Sequence, residues 1–402
     1  MSNTSFMKIF LKDSEVEWMA LWQVTTWDKR FNAVAKEKQP KVINYQYLLA
    51  AELFDLEQDN GDIFLLSTGE RTGWTTKELA GKYLHEGEIV TIPWGKSRPI
   101  KDVIKYYKGS FVTADNRIAT SNDTNRLLNK FLYYWLMSQT KMLDSFYRGS
   151  GIQHPSMADV LDMKIPIPPL DTQTEIVRIL DTFTELTAEL TTELIARKQQ
   201  YAYYREQLLT FKKDEVETKL LGEVTVYEQP TKYLVTSKEY DDSFKTPVLT
   251  AGKTFILGYT DEVQGINKAS GKPVIIFDDF TTANKWVDFD FKAKSSAMKM
   301  ITSVDESKVM QKYIYYWLNI LPSELTDGDH KRRWISSFTK KEIPVPPLAE
   351  QERIVTILDK FDALTTSLTE GLPREIELRQ QQYEYYRDLL LSFPKPEVAN
   401  HD

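Results

Sequence analysis

The feature that most constrains this chain is that it is written twice. Ile165-Pro166-Ile167-Pro168-Pro169-Leu170 returns as Ile343-Pro344-Val345-Pro346-Pro347-Leu348, an offset of 178 residues (343 − 165). The same offset aligns Gln173 with Gln351, Ile179-Leu180-Asp181 with Ile357-Leu358-Asp359, and Phe183 with Phe361. Further on the offset becomes 182 (383 − 201), where Tyr201-Ala202-Tyr203-Tyr204-Arg205 matches Tyr383-Glu384-Tyr385-Tyr386-Arg387. Upstream, Lys130-Phe131-Leu132-Tyr133-Tyr134-Trp135-Leu136 resembles Lys312-Tyr313-Ile314-Tyr315-Tyr316-Trp317-Leu318, and Glu15-Val16-Glu17 parallels Glu215-Val216-Glu217. Internal repetition of this kind signals a duplicated architecture. Between these marks the halves diverge strongly. Drift of a duplicated domain does not explain why the helical parts stay alike, so two similar scaffolds carry two different surfaces.

Each Pro-Pro-Leu opens a helical pattern, because proline is tolerated in a first helical turn but not inside a helix. Ile176, Ile179, Leu180, Phe183, Leu186, Leu190 and Leu194 recur every three or four residues and form one apolar stripe. From Asp171 to Phe211 there is no glycine or proline, which predicts a rod of about 60 Å at ~1.5 Å per residue. The second copy holds four extra residues near Gly371-Leu372-Pro373-Arg374, where a kink or brief break is expected. Two stripes of similar length are expected to pack on each other as an antiparallel coiled coil. The intervening segments read as mixed α/β. Pro273–Phe277 is a buried strand candidate, Trp286–Phe291 alternates as a half-buried strand does, and Glu88–Trp94 is a similar candidate in the first half.

Composition bounds the function classes. The 402 residues are 42% hydrophobic and 12% aromatic, ample for two or three cores. No cysteine is present, so disulfides, thiolate metal sites and cysteine nucleophiles are excluded. This fits a reducing cytoplasm, the expected location. No apolar run reaches the ~18 residues of a membrane span, and residues 1–13 lack a signal-peptide pattern. The formal net charge is −7. Any nucleic-acid contact must therefore come from local basic patches, which act within a Debye length of ~8–10 Å.

These motifs resemble the specificity subunits of type I restriction–modification systems over nearly the whole chain. The Ile-Pro-x-Pro-Pro helix openings and the Tyr-x-Tyr-Tyr-Arg-x-x-Leu-Leu helix ends carry the resemblance. Glu228-Gln229-Pro230-Thr231-Lys232, Phe277-Asp278-Asp279-Phe280-Thr281-Thr282 and Ser295-Ser296-Ala297-Met298-Lys299 add to it. Thr187-Ala188-Glu189-Leu190-Thr191-Thr192-Glu193-Leu194 is similar to the tandem Thr-Ala-Glu-Leu repeat of the type IC branch, with Thr192 in place of alanine. The resemblance implies an α/β (α+β) chain with two mixed α/β target-recognition domains, residues 1–164 and 212–342. Two long helices, the central one at 165–211 and the C-terminal one, with its tail, at 343–402, would pair in a pseudo-twofold antiparallel coiled coil. It further implies a non-catalytic subunit that binds a bipartite double-stranded DNA site, one half-site per domain. Two methyltransferase subunits and restriction/translocase subunits would dock on it. No cofactor is expected on this chain, since S-adenosylmethionine, ATP and Mg belong to the partners.

Reading DNA needs side chains that reach base edges and cations that meet phosphates. Candidates in the first domain are Lys96, Ser97 and Arg98 after a strand-like run, Lys108, Asn116 and Arg117, and Arg148, Gln153 and His154 in a glycine-rich loop. In the second they are Thr281, Thr282, Asn284 and Lys285, then Lys294, Ser295, Ser296 and Lys299, then His330, Lys331, Arg332 and Arg333. The loops with His154 and His330 hold corresponding places before the two helices. Any of these side chains could instead be a solvated loop residue, and either histidine a buried hydrogen-bonding group.

Catalytic readings are weaker. Ala251-Gly252-Lys253-Thr254 ends like a P-loop, but Pro247 stands where the first glycine is required. Asp278 or Asp279 with Asp290-Phe291-Lys292 loosely resembles a nuclease carboxylate set, yet these aspartates alternate with aromatics as solvent-facing strand positions do. Methyltransferase motifs are absent. Histidines 85, 154, 330 and 401 lack metal-ligand spacing. Two rival functions remain: a self-sufficient restriction or methylation enzyme, and a scaffold that does not bind DNA. The repeated tyrosines at 201–204 and 383–386 are expected to pack between helices.

Overall fold

The computed structural model describes residues 16–96, 98–212, 215–251, 254–322, 332–367 and 369–394. The chain divides into two compact units, Met1–Glu189 with Glu377–Asp402, and Leu190–Ile376.

In the first unit the strands in chain order are β1 (Glu17–Ala20), β2 (Thr25–Trp27), β3 (Ile63–Leu66), β4 (Gly73–Thr75), β5 (His85–Pro93), β6 (Lys105–Thr113), β7 (Asn116–Ser121), β8 (Tyr147–Arg148), β9 (His154–Pro155) and β10 (Lys164–Ile167). Its main sheet has the order β2-β7-β5-β6-β3-β4. In the second unit they are β11 (Glu217–Leu220), β12 (Thr225–Glu228), β13 (Thr246–Leu249), β14 (Ile256–Thr260), β15 (Val274–Asp278), β16 (Asn284–Val287), β17 (Lys292–Ala293), β18 (Met298–Ser303) and β19 (Glu342–Val345). Its main sheet has the order β12-β18-β15-β16. The first four strands of the two sheets share one antiparallel topology. They differ in what is added. The first sheet is extended by β3, which runs parallel to β6, and by β4. The second unit instead builds a separate sheet, β14-β13-β17.

The proline motifs belong to two-stranded ribbons. β1 pairs with β10 and sets Trp18 opposite Pro166; β11 pairs with β19 and sets Thr218 opposite Pro344. A proline cannot donate to a ladder, so it suits such an edge.

The helices are α1 (Asn129–Ser138), α2 (Leu170–Leu209), α3 (Gln311–Leu318), α4 (Leu348–Thr366) and α5 (Leu372–Leu390). The Lys-aromatic segments form α1 and α3, short core helices as the sequence predicts. They bury Phe131, Leu132, Tyr134 and Trp135 in one unit and Tyr313, Ile314, Tyr316 and Trp317 in the other. The predicted break also occurs. α4 ends at Thr366, and Gly371 sits at φ +82°, where a Cβ would come within 2.4 Å of the Ala363 carbonyl oxygen. Only glycine adopts that backbone at low cost.

Each long helix meets the end of the other through stacked rings. In the first unit Phe183 stacks on Tyr386 at 5.3 Å; in the second Phe361 stacks on Tyr204 at 5.8 Å. These are the same two repeat positions with the helices exchanged, the reciprocity that antiparallel pairing demands. The neighbouring tyrosines behave differently from expectation. Tyr201 is buried against Phe361, but Tyr203 and Tyr385 are 60% and 62% exposed.

Two strand readings contrast. Val274–Asp278 is fully buried, as its apolar run predicts. The alternation over Trp286–Phe291 ends as a strand at Val287. There the chain leaves one sheet for the other, and Asp290 turns aside to accept from the Ser270 hydroxyl at 2.6 Å.

A buried glutamine fixes the start of each long helix. Gln173 accepts from the Leu128 N–H at 3.0 Å and donates to the Arg126 and Pro168 carbonyls, both at 2.8 Å. Gln351 accepts from the Met310 N–H at 2.9 Å and donates to the Lys308 and Pro346 carbonyls at 2.9 and 2.8 Å. Both glutamines are 0% exposed. Leucine at either position would orphan one N–H and two carbonyls, at ~1–3 kcal/mol for each buried group that stays unsatisfied. Gln351→Leu is therefore expected to destabilise the second unit by about 3 kcal/mol, read as a lowered urea midpoint against the parent chain.

Candidate nucleic-acid interface

In the first unit three predicted clusters come together at the end of β5. Trp94 follows that strand, and the chain then turns beneath the β8–β9 hairpin. Lys96 and Gln153 exchange backbone hydrogen bonds at 3.0 and 3.1 Å. The His154 Nδ1 lies 2.9 Å from the Trp94 carbonyl oxygen, and the two rings are 4.6 Å apart. A Cβ on Gly95 would fall 2.6 Å from the Ile152 side chain, which would have to shift to admit it. Arg98 and Arg148 point outward, paired with Glu70 and with Asp159 respectively. Lys96 is buried, paired with Asp144 and lying 4.9 Å from the centre of the Tyr147 ring. Ser97 lies outside the described residues.

Asn116 and Arg117 lie beneath this surface. The Asn116 amide donates to the Leu66 carbonyl at 3.0 Å. Arg117 donates to Asp115 at 2.8 Å, and its guanidinium lies 3.9 Å from the Trp94 ring centre. Lys108 stands apart, exposed on β6 across from Glu88.

Sequence reasoning missed part of this site. An open cleft of about 380 Å³ separates the turn at Gly69, Glu70 and Arg71 from Gly95, Lys96 and Arg98. Lys105, nearby on β6, donates to the Ser67 carbonyl at 2.8 Å, and burial lowers its pKa to about 8. Nothing local in the sequence marks Arg71 or Lys105, because β3, β4 and β6 meet only in the folded sheet.

In the second unit Thr281 and Thr282 form the turn after β15, with the Asp278 carboxylate accepting from the N–H groups of Phe280 (2.9 Å) and Thr281 (3.3 Å). Thr282 sits at φ +60°. Asn284 and Lys285 open β16, and the Asn284 side chain accepts from Asn319 at 3.0 Å. Lys294, Ser295 and Ser296 are exposed, with the Lys294 ammonium 2.8 Å from the Tyr240 hydroxyl. Lys299 is only 1% exposed. His330 and Lys331 lie outside the described residues, as do Gly252 and Lys253 of the P-loop-like stretch. Arg332 and Arg333 lead into the short helix Arg333–Ser336. Leu21 N–H donates to the Met163 carbonyl, and Leu221 N–H to that of Lys341. By the same sequence offset of 178 (332 − 154), Arg332 takes the place in its half of the chain that His154 takes in the other.

The nuclease-like carboxylates are dispersed. Asp278 caps its turn, Asp279 pairs with Lys299, Asp290 binds Lys268 and Ser270, and Lys292 pairs with Glu262 at 2.6 Å. Among the described residues no group of three or more histidines and carboxylates could hold a metal ion, and no helix is long and apolar enough to cross a membrane.

Behind Arg117, the Asp28 carboxylate accepts from the Ile118 N–H at 3.1 Å. Burial raises its pKa to about 6, against the opposing pull of Lys29. The folded chain thus holds a proton that the unfolded chain releases near pH ~3.9. Stability from this group falls as pH rises from about 4 to 6. Asp28→Asn is expected to raise unfolding stability by about 1–2 kcal/mol at pH 7.5 and to change little at pH 4, measured by urea denaturation at both values.

The comparisons with known proteins agree with this architecture. The family model of the type I restriction modification DNA specificity domain matches residues 49–197 and 213–378. Over 191 residues the chain is 64% identical to the Escherichia coli type I restriction enzyme EcoR124I/EcoR124II specificity subunit, a match spanning 46% of this chain and 46% of that one. A Haemophilus influenzae type I restriction enzyme specificity subunit is 33% identical over 98% of this chain and 99% of its own length. The crystal structure of a type I restriction–modification S subunit from M. genitalium shares the fold, with a TM-score of 0.64 at 15% identity over 95% of this chain and 98% of that one. The chain belongs to the family of type I restriction–modification DNA specificity subunits.

Proposed function

We propose that this chain recognises a bipartite double-stranded DNA site, each unit reading one half-site, without performing chemistry itself. The observation that carries the reading is the repetition of one sheet topology, each copy with basic loops at the end of its central strand, beneath otherwise dissimilar surfaces. The exposed candidates, Arg98, Lys108, Arg148 and His154 with the half-buried Gln153 in one unit, and Thr281, Lys285, Lys294, Ser295, Ser296 and Arg332 in the other, supply base and phosphate contacts. The helices dock two methyltransferase subunits, and restriction/translocase subunits complete the complex in the cytoplasm. Those partners bring S-adenosylmethionine, ATP and Mg. The Thr187–Leu194 stretch fits a type IC spacer.

The spacer follows from helix geometry. Four residues lengthen a helix by ~6 Å and turn it a net ~40°; the turn is close to the ~35° of one base pair, and the length is under two rises of ~3.4 Å. Inserting one Thr-Ala-Glu-Leu unit after Leu194 is expected to lengthen the spacer and leave both half-sites unchanged. A map of methylated adenines in cells carrying the complex reads this, and an unaltered spacer overturns it. The purified chain incubated alone with DNA, S-adenosylmethionine, ATP and Mg is expected to yield no methylated or cleaved product.

Arg332→Ala with Arg333→Ala is expected to weaken binding of the methyltransferase-bound chain to its site. The salt slope should fall by up to about 2, since each lost phosphate contact removes ~0.9. An unchanged slope removes this loop from the interface.

A further inference from the structure

The strand registers align the two recognition sheets residue by residue. In the first unit β7 pairs Ile92 with Arg117; in the second β18 pairs Phe277 with Lys299. On the outer side, Thr25 faces Ser121 and Thr225 faces Ser303. Arg117 and Lys299 therefore occupy one structural position, at the offset of 182 (299 − 117). Continuing past Ile92 and Phe277, Trp94 and Asp279 also correspond. Both cations are buried, at 5% and 1% exposure.

Each cation contacts the residue after the central strand, and that residue holds the loop from the far side of the domain. Arg117 lies over Trp94, which carries His154 on its carbonyl and against its ring. The Lys299 ammonium is 3.5 Å from Asp279 and 5.0 Å from the Tyr227 ring centre. Asp279 accepts from the Trp334 N–H at 2.8 Å through its carboxylate and from the Arg333 N–H at 2.9 Å through its carbonyl. The contact to that residue differs between units, cation over indole in one and ion pair in the other, while Arg117 also pairs with Asp115; the connection to the loop is the same.

We propose that Arg117 and Lys299 are equivalent positioning residues: buried beneath the recognition loops, they set His154 in one unit and Arg332–Arg333 in the other for DNA, and touch no nucleotide. A buried pair costs desolvation that apolar packing avoids, so a cation kept at one position in both dissimilar domains points to placement of the loop. The inference rests on the proposed DNA-binding role of those loops.

The test is a mutant cycle on the full chain in complex with its methyltransferase subunit, titrated with a duplex carrying the site identified by methylation mapping. Lys299→Met is expected to weaken binding about tenfold in the parent chain, on the scale of a broken contact in a coupled network. In the Arg332→Ala/Arg333→Ala background the same change should cost less than about twofold, because the loop through which it acts no longer contributes. Equal losses in both backgrounds overturn the proposal, since they would mean that Lys299 touches DNA itself or supports the fold generally. If Arg332→Ala/Arg333→Ala alone leaves affinity unchanged, the DNA-binding role of the loop fails first and the positioning proposal with it. Should Lys299→Met not fold, Asp279→Asn takes its place; its side-chain oxygen can still accept from Trp334, and the same non-additivity is expected.

Discussion

The recognition domains depend on one polar contact made twice, a buried glutamine in the first turn of each long helix. A primary amide can accept on its oxygen and donate through two N–H groups. Gln173 and Gln351 use this capacity to satisfy the chain before α1 and α3 and the proline bend before the helix. A second tie lies eight residues along, about 12 Å of helix. The Tyr134 hydroxyl donates to Asp181 and that of Tyr316 to Asp359, with Lys130 and Lys312 on the same carboxylates. Burial, and then the carboxylate itself, push both phenols above their ordinary pKa, so each stays a donor. Two ties on one helix face fix both the position and the rotation of a recognition sheet.

With the sheet so fixed, variation is free at its far end. The elements near the helix repeat in detail: the two-stranded ribbons share a register, and the Thr25 and Thr225 hydroxyls donate to Leu21 and Leu221 at the same 2.6 Å. Asn129 and Gln311 each accept from a strand N–H, that of Ser121 or Ser303. Away from the helix the likeness stops. One unit widens its sheet with β3 and β4, whereas the other stacks a small sheet tied by Lys292 and Glu262, whose carboxyl is lowered to about 2 against the opposing effect of burial, by Lys292 and by the Ser237 and Thr236 donors. This is how one scaffold carries two specificities.

The legible part of the fold was the repeated part. Periodicity and proline placement predicted α2, the short core helices and the break at Gly371, because each is governed by local geometry. The strand over Trp286–Phe291 was misjudged because alternation cannot reveal that a chain changes sheets at Val287. Among the candidate site residues, Arg98, Arg148 and Arg332 are exposed, whereas Asn116, Arg117 and Lys299 are interior. Composition cannot separate a cation on a loop from one under it. A signal for the latter did exist: the offset of 182 that aligns Lys130 with Lys312 also aligns Arg117 with Lys299. Arginine and lysine at one position gave no motif, and the partner had changed from tryptophan to aspartate.

That change of partner bears on how such domains diverge. A guanidinium is planar and stacks flat on an indole, whereas an ammonium is a compact point charge that a small site beside a carboxylate can hold. Arg117 with Trp94 and Lys299 with Asp279 are thus each self-consistent, and the crossed combinations are not. Lysine in place of Arg117 would lose the planar stack on Trp94 and keep only Asp115 as a partner, and arginine against Asp279 would need room that a site at 1% exposure does not offer. The loop, the residue after the central strand and the buried cation on the neighbouring strand must then change together. A new half-site preference is more readily gained by exchanging a whole domain between its two helix ties than by altering its loops alone.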